Sequence, residues 1–253
     1  MTATTTITTT QRGQRRALAP LATVTLTVLV ALGGALGRPA AAQDATPSPA
    51  TAPGVIGDAA EIDCETGALA TAAAGAGSTL TIVSEESEAR YRAHEELANI
   101  GAAEAVGRTN AFIGQILFDD AGNPLPCSRF DIDLRTLQSD EARRDNYLYG
   151  NILETEQFPL ATFILTAVEG LDGPLPDGEE TTFTLIGNLT IHGLTKLVAW
   201  EATVTRQGDA LAGAATTEFD MPDFAIEEPV VGPVVSVNET IVLETDITAE
   251  VAG

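Results

Sequence analysis

The sequence contains little of the side-chain chemistry that catalytic and metal sites use. Its 253 residues include only two histidines and two cysteines, at His94, His192, Cys64 and Cys127. No spacing among the four is typical of a zinc site, so we expect neither a metal nor another cofactor. Either histidine could act as a general base, but only ordinary serine and threonine hydroxyls lie near them in the sequence. We therefore expect a protein that is not an enzyme, with His192 in a solvated hairpin turn.

Basic residues are scarce as well. The chain has 13 Lys and Arg against 36 Asp and Glu, a formal net charge of −23. Such a surface repels nucleic acids and anionic membranes, so we expect no nucleic-acid partner. The excess of acidic residues is typical of a protein kept soluble outside the cell.

The acidic residues are absent from the first 42 positions, which carry four arginines. An uncharged run over 17–37 follows Arg16, and residues 40–42 are three alanines. A basic start, an apolar centre and a small-residue site predict a signal peptide over 1–42, hence a secreted, periplasmic or cell-surface protein. Cleavage there would leave nine basic and 36 acidic residues, a formal net charge of −27. The alternative is an uncleaved membrane tether, because the uncharged run is nearly long enough to span a bilayer.

Residues 43–77 have the composition of a linker. They are rich in Pro, Ala and Thr at first and then in Gly and Ala. Cys64 lies in this stretch and Cys127 lies further on, so an exported chain could join them in a disulfide. The alternative is two unpaired thiols.

The remaining residues, 78–253, alternate apolar and polar side chains in the manner of half-buried strands. The clearest example is 181–205, where two alternating runs flank a turn at His192-Gly193-Leu194 and predict a hairpin. Similar patterns predict strands over 79–83, 88–94, 110–119, 129–137, 161–169, 210–219 and 238–251. Residues 139–156 instead predict a short helical segment, with Ser139 as its cap and a break at Gly150. Residues 95–107 are predicted to form a loop.

About eight strands and one helical crossing predict an all-β fold, an eight-stranded antiparallel barrel. A barrel of this size has room for packed side chains or for one small ligand. Small residues on the predicted inward faces should leave empty volume and so favour a cavity; they are Gly114, Gly187, Gly213 and Ala215.

Three motifs resemble those of a known family. The first, RRDNYLYGNILETEQFPLATF at 143–163, combines an Arg-Asp pair with a short helix and an aromatic-Pro pair. The second is the hairpin IGNLTIHGLTKLVAW at 186–200. The third is Asp223-Phe224-Ala225-Ile226. Together they resemble the YceI-like family over roughly residues 78–251.

The resemblance implies a lipocalin-like barrel that is exported and binds a polyisoprenoid or another long-chain amphiphile. The family has no established catalytic residues, so none is transferred. The ligand-facing positions follow from the alternation, although most inward apolar residues simply pack and a core role is the safer interpretation of each one alone; they are Phe112, Ile116, Phe118, Phe130, Ile132, Phe163, Phe183, Leu185, Leu189 and Trp200. Arg143 and Arg144 could contact a headgroup, or an Arg–Asp pair could simply pin the helix.

Three functions are consistent with these patterns. A carrier would hold a lipid or isoprenoid in an apolar cavity, for transport or storage. An interaction or structural module of the cell envelope would have a filled barrel. An enzyme would need a polar cluster inside the cavity, and the predicted inward positions supply none. We favour the carrier and leave a homodimer open.

Overall fold

The computed structural model describes residues 51–64, 77–98, 100–229 and 234–251. The predicted signal peptide and much of the predicted linker lie outside these ranges. The described residues form one antiparallel sheet of eleven strands. The strands are β1 (Gly54–Asp58), β2 (Ser78–Ile82), β3 (Glu88–Leu97), β4 (Gly101–Thr109), β5 (Phe112–Phe118), β6 (Arg129–Asp133), β7 (Leu160–Glu169), β8 (Glu180–Ile191), β9 (Leu194–Gln207), β10 (Ala210–Asp220) and β11 (Val234–Val251).

Eight of these strands close into a barrel, as the sequence predicts. From β5 to β11 each strand pairs with the next, and β2 joins β11 to β5. The ring closes where Leu80 and Ile82 of β2 pair with Val251 and Ala249 of β11. A closed ring leaves no edge among these eight strands at the level where β2 pairs.

The other three strands widen the barrel at one end. Strand β11 pairs with β2 only near its C-terminal end, and its preceding residues pair with β3, which pairs with β4. Strand β9 pairs with β10 as far as Glu201, and beyond that point β1 takes the same edge at Lys196–Ala199. We call the end closed by β2 and β5 the narrow end, and the end bordered by β1, β3 and β4 the wide end.

The β8–β9 hairpin confirms the strongest sequence signal. Its two-residue turn has positive φ at both His192 (51°) and Gly193 (75°), which matches the right-handed twist of paired strands. The prediction of a solvated His192 was wrong. Its Nδ1 lies 3.1 Å from the Phe224 carbonyl oxygen, and its ring meets the edge of Phe158 at 5.1 Å. The turn is therefore packed against two neighbouring segments.

The predicted loop at 95–107 is in fact most of the β3–β4 hairpin. Alternation is present there, but alanine and glycine occupy the buried positions, such as Ala105 and Gly107, and carry little strand signal. The side chain that fills this space comes from the paired strand, because the ring of Tyr91, directly opposite Gly107 in the register, lies over that glycine. Unbroken pairing with β4 over Ala89–Leu97 extends the strand beyond His94, although the pairing with β11 is interrupted by a bulge at that residue.

The helical segment lies between β6 and β7, as expected, but differs in its details. Helix α1 (Ala142–Tyr147) continues into a π-type turn at Leu148–Ile152, which contains Gly150, so no break occurs there. The N-cap is Glu141 and not Ser139, and the Glu141 carboxylate accepts a hydrogen bond from the backbone amide of Arg143. No helix in the described ranges is long and apolar enough to cross a membrane.

Part of the predicted linker is a strap, residues 51–64, on the outside of the barrel. It contributes β1, and two hydrogen bonds of 2.8 Å join Ala60 to the buried side chain of Asn188 on β8. Beyond them, Cys64 forms a disulfide with Cys127, with the Cα atoms 5.6 Å apart. The strap is thus fixed at both ends.

Candidate ligand-binding cavity

A cavity of about 720 Å³ opens inside the wide end. Its volume lies within the range of pockets that hold small-molecule ligands. The walls are the inward faces of the barrel strands and of β3, and the helical segment borders it through Leu148, Ile152 and Leu153. Most of the lining side chains are apolar.

The predicted ligand-facing residues divide between the two ends. Those that line the cavity are Phe112, Phe130, Ile132, Phe163, Leu185, Leu189 and Trp200. Ile116, Phe118 and Phe183 instead surround a void of only about 60 Å³ at the narrow end, which Phe130 and Leu185 also border. There the guanidinium of Arg206 lies 5.2 Å from the centre of the Phe118 ring. These three residues are core, the alternative that the sequence left open.

A row of aromatic rings crosses the cavity wall. Phe112 meets Phe130 edge-on at 5.9 Å, Phe130 stacks on Phe163 at 6.2 Å, and Phe163 meets Trp200 edge-on at 6.0 Å. Such spacings are the favourable ones for aromatic pairs. The row gives the cavity one rigid apolar wall.

The prediction that small inward residues create the empty volume was wrong for the three glycines. A Cβ at Gly114 would lie 2.7 Å from Cδ1 of Phe130, and one at Gly213 would lie 2.5 Å from Cγ1 of Val204. At Gly187 the Phe163 ring occupies the place of a side chain. Neighbouring side chains therefore fill the space beside each of these glycines. The volume comes from the widening of the barrel, and only Ala215 of the predicted set lines the cavity.

Several lining residues were missed by the sequence analysis. Most lie on β3, on the helical segment and on β11, and strand parity would have placed Leu97 and Ala105 had residues 95–107 been recognised as strand. They include Tyr91, Ala93, Leu97, Ala105, Leu148, Ile152, Phe219, Met221, Val237, Ile241 and Leu243.

The cavity wall also contains an ion pair, contrary to the prediction that the inward positions carry no polar cluster. Glu95 shares the inward parity of Tyr91 and Leu97 on β3, and its side chain is only 7% exposed. Its Oε1 lies 3.0 Å from Nη2 of Arg144 on α1. The pair joins the hairpin to the helical segment beside the cavity.

Arg144 also binds two other residues, and neither of them is Asp145, the partner in the predicted local ion pair. Its Nη1 lies 2.5 Å from Asp140 Oδ1 and 3.2 Å from Ser139 Oγ. Burial alone would lower the pKa of Arg144, but Asp140 and Glu95 raise it above its ordinary value. The buried carboxylate of Asp145 instead accepts the Ser139 amide and hydroxyl, at 3.0 and 2.6 Å. Arg143 is exposed at the cavity rim and has no ion pair within the described residues.

Tyr91 is another polar residue that lines the cavity. Burial raises the pKa of its phenol to about 12, and the nearby carboxylates of Asp145 and Glu95 raise it too while Arg144 opposes them. The phenol is therefore neutral at ordinary pH. It can donate or accept a hydrogen bond without contributing charge.

The two histidines lie away from this arrangement. His94 points outward from β3, with a side chain 63% exposed, 3.8 Å from Glu104. His192 lies in the packed turn described above. Nowhere in the described ranges do three or more potential metal ligands cluster.

The sequence is similar to a known domain family and to bacterial proteins. The YceI-like domain model matches residues 80–249. A UPF0312 protein of Pseudomonas putida (strain W619) is 32% identical over 143 residues, 53% of this chain and 70% of that protein. A UPF0312 protein of Shewanella sp. (strain W3-18-1) is 31% identical over 136 residues, 51% of this chain and 68% of that protein.

Two solved structures share the fold. One is a polyisoprenoid binding domain from Saccharophagus degradans implicated in plant cell wall breakdown, with a TM-score of 0.52 and 14% identity over 68% of this chain and 98% of that one. The other is Burkholderia cenocepacia BcnA, with a TM-score of 0.52 and 18% identity over 66% and 98%. At these identities the likeness concerns the fold alone. Because the domain model matches two thirds of the sequence and relatives above 30% identity support it, the chain belongs to the YceI-like family.

Proposed function

We propose that the protein is an exported carrier that holds a long-chain amphiphile, such as a polyisoprenoid or another lipid, in its cavity for transport or storage. The observation that carries the proposal is the apolar cavity of about 720 Å³ at the wide end. Each methylene group that leaves water for such a site contributes about 0.8 kcal/mol. A long chain can therefore bind with little help from polar contacts.

Two further observations support the proposal. A solved structure of the same fold is a polyisoprenoid binding domain. The disulfide between Cys64 and Cys127 is suited to an oxidising compartment, in agreement with the signal peptide that the first 42 residues predict.

Native mass spectrometry of the protein purified from its own host tests the proposal. We expect a stoichiometric bound mass that solvent extraction identifies as a long-chain lipid or isoprenoid. A protein that carries no such mass and takes up no isoprenoid or fatty amphiphile on addition would contradict a carrier and favour an interaction module.

A cavity-filling variant adds a control. Ala93 lines the cavity, whereas Ala212 on β10 is exposed. We expect Ala93→Phe to lose the bound lipid and Ala212→Phe to keep it, with circular dichroism showing that both variants fold. Equal lipid content in the two would place the ligand elsewhere.

A further inference from the structure

We infer that the cavity selects amphiphiles whose headgroup donates a hydrogen bond and carries no negative charge, and that Glu95 imposes this choice. The inference rests on the proposed function and specifies its ligand class. Of the two roles that the sequence leaves open for Arg143 and Arg144, it argues against contact with an anionic headgroup.

Glu95 lies in the cavity wall, among apolar residues. In the strand register it is opposite Val237 on β11 and Ala103 on β4, and its side chain is 93% buried between the inward-facing Ala93 and Leu97. A carboxylate in this place is the polar group that a headgroup at the cavity wall would meet.

The arginine beside Glu95 already binds other groups of the protein. Arg144 directs one nitrogen to Glu95 and the other to Asp140 and Ser139. A phosphate or carboxylate that captured this guanidinium would leave Glu95 buried without a counter-ion, which is strongly unfavourable.

Carboxylates outnumber arginines in the cavity lining near the helical segment. The charged residues that line the cavity near the helical segment are three carboxylates, Glu95, Asp140 and Glu141, and two arginines, Arg143 and Arg144. The remaining charged lining residues, Arg90 and Glu244, are paired with each other at 3.0 Å. An anionic headgroup would therefore enter a site with a negative excess.

Glu95 retains the capacity to accept a further hydrogen bond. Oε1 of Glu95 accepts from Arg144, whereas Oε2 has no partner within the described residues. A free carboxylate oxygen accepts hydrogen bonds and cannot donate them. It is matched by a hydroxyl, phenol, amide or amine, and the neutral Tyr91 phenol nearby can accept a second bond or donate one.

Two probes with the same chain separate the headgroup from the tail: geranylgeraniol and geranylgeranyl phosphate. Trp200 is the only tryptophan and lines the cavity, so its fluorescence reports occupancy directly. We expect the unmodified protein to bind the alcohol at least about tenfold more tightly than the phosphate. Repulsion between the phosphate and the Glu95 carboxylate, two like charges close together in a partly buried site, is of this size.

Variants at equal net charge identify the residue responsible. Glu95→Gln should reduce the preference for the alcohol to about threefold or less, because Arg144 becomes available to the phosphate. Glu180→Gln removes the same charge from an exposed position at the start of β8 and should leave the preference unchanged. Asp140→Asn, at the exposed rim, should also reduce the preference for the alcohol, but by less than Glu95→Gln does. If thermal melting shows that Glu95→Gln does not fold, Asp140→Asn provides the test instead.

The outcomes are distinct. Equal affinity of the unmodified protein for the two probes would overturn the inference while leaving a carrier in place. A preference that survives both Glu95→Gln and Asp140→Asn would show that these carboxylates do not impose it. Failure of both probes to bind would overturn the proposed function and this inference with it.

Discussion

The narrow and wide ends of the barrel are formed largely by the same strands, yet one is filled and the other is hollow. Along β5 the inward Phe112 lines the large cavity, whereas Phe118, six residues further on, lies in packed core around the small void. Along β8 the same change separates Leu189 from Phe183. The inward faces carry residues of similar size at both ends. What differs is the distance that these side chains must span, which depends on how many strands surround them.

The widening arises where two long strands change partners. β9 passes from β10 to β1, and β11 passes from β2 to β3. Each change inserts extra backbone into the wall at the wide end. Phe130 and Leu185 stand at the boundary, since both border the cavity and the small void below it.

A matched pair of leucine truncations should show the largest difference between the ends. Leu80 at the narrow end is 1% exposed, whereas Leu243 is half-buried beside the cavity. We expect Leu80→Ala to lower the free energy of unfolding by about 3–4 kcal/mol and Leu243→Ala by about 1–2 kcal/mol, because a side chain beside empty space has fewer contacts to lose. Urea denaturation of both variants measures this. Equal losses would mean that the wide end is packed as tightly as the narrow end.

Removing the disulfide should loosen the strap and the edge of β9 that β1 covers. The double change Cys64→Ser and Cys127→Ser releases the strap, and we expect a loss of about 2–4 kcal/mol in the free energy of unfolding. Hydrogen exchange should rise at Lys196–Ala199, which β1 covers, and stay unchanged where β2 pairs with β5. Faster exchange throughout the barrel would show that the strap supports both ends alike.

The aromatic wall between the ends depends on Gly187. Gly187→Ala would force a methyl group into the Phe163 ring and the Ile164 carbonyl, and we expect a loss of about 2–3 kcal/mol. Gly57 on β1 has open space around it, so Gly57→Ala is the control and should change stability little. Thermal melting compares the two. A neutral Gly187→Ala would mean that the Phe163 ring moves freely.

Acid should weaken the wide end through the ion cluster on β3 and β11. Burial would raise the pKa of Glu244, but hydrogen bonds from Arg90 and Arg92, each 3.0 Å long, lower it below its ordinary value. A carboxyl with a lowered folded-state pKa stabilises the fold above its unfolded pKa of about 4.5, and this stabilisation is lost as the pH falls through the lower value. We expect about 1 kcal/mol of stability at pH 7 from this source.

Denaturation between pH 7 and pH 3 measures this contribution. The unmodified protein should lose more stability over that range than Glu244→Gln, which lacks the titrating group. Parallel pH profiles for the two proteins would contradict a role for Glu244.

The alternation of β8 and β9 was sufficient to predict the hairpin, its turn and the inward parity of Leu185 and Trp200. Parity is local, because successive side chains of a strand must point to opposite faces. The β3–β4 hairpin was missed because Ala105 and Gly107 carry too little side chain to show a period. Consequently Glu95, the residue with the most consequence for the headgroup, was not recognised as inward-facing.

The amino-acid sequence by itself determined the strands with large apolar residues, the closed all-β fold that they imply, the two cysteines and the motifs of the family. Those features depend on neighbouring residues and on composition. Only the tertiary structure decided that Phe163 faces a cavity while Phe183 lies in packed core, and that Glu95 meets Arg144. Empty volume and ion pairs depend on the diameter of the barrel and on contacts between distant segments, and both are set by which strands pair where β9 and β11 change partners.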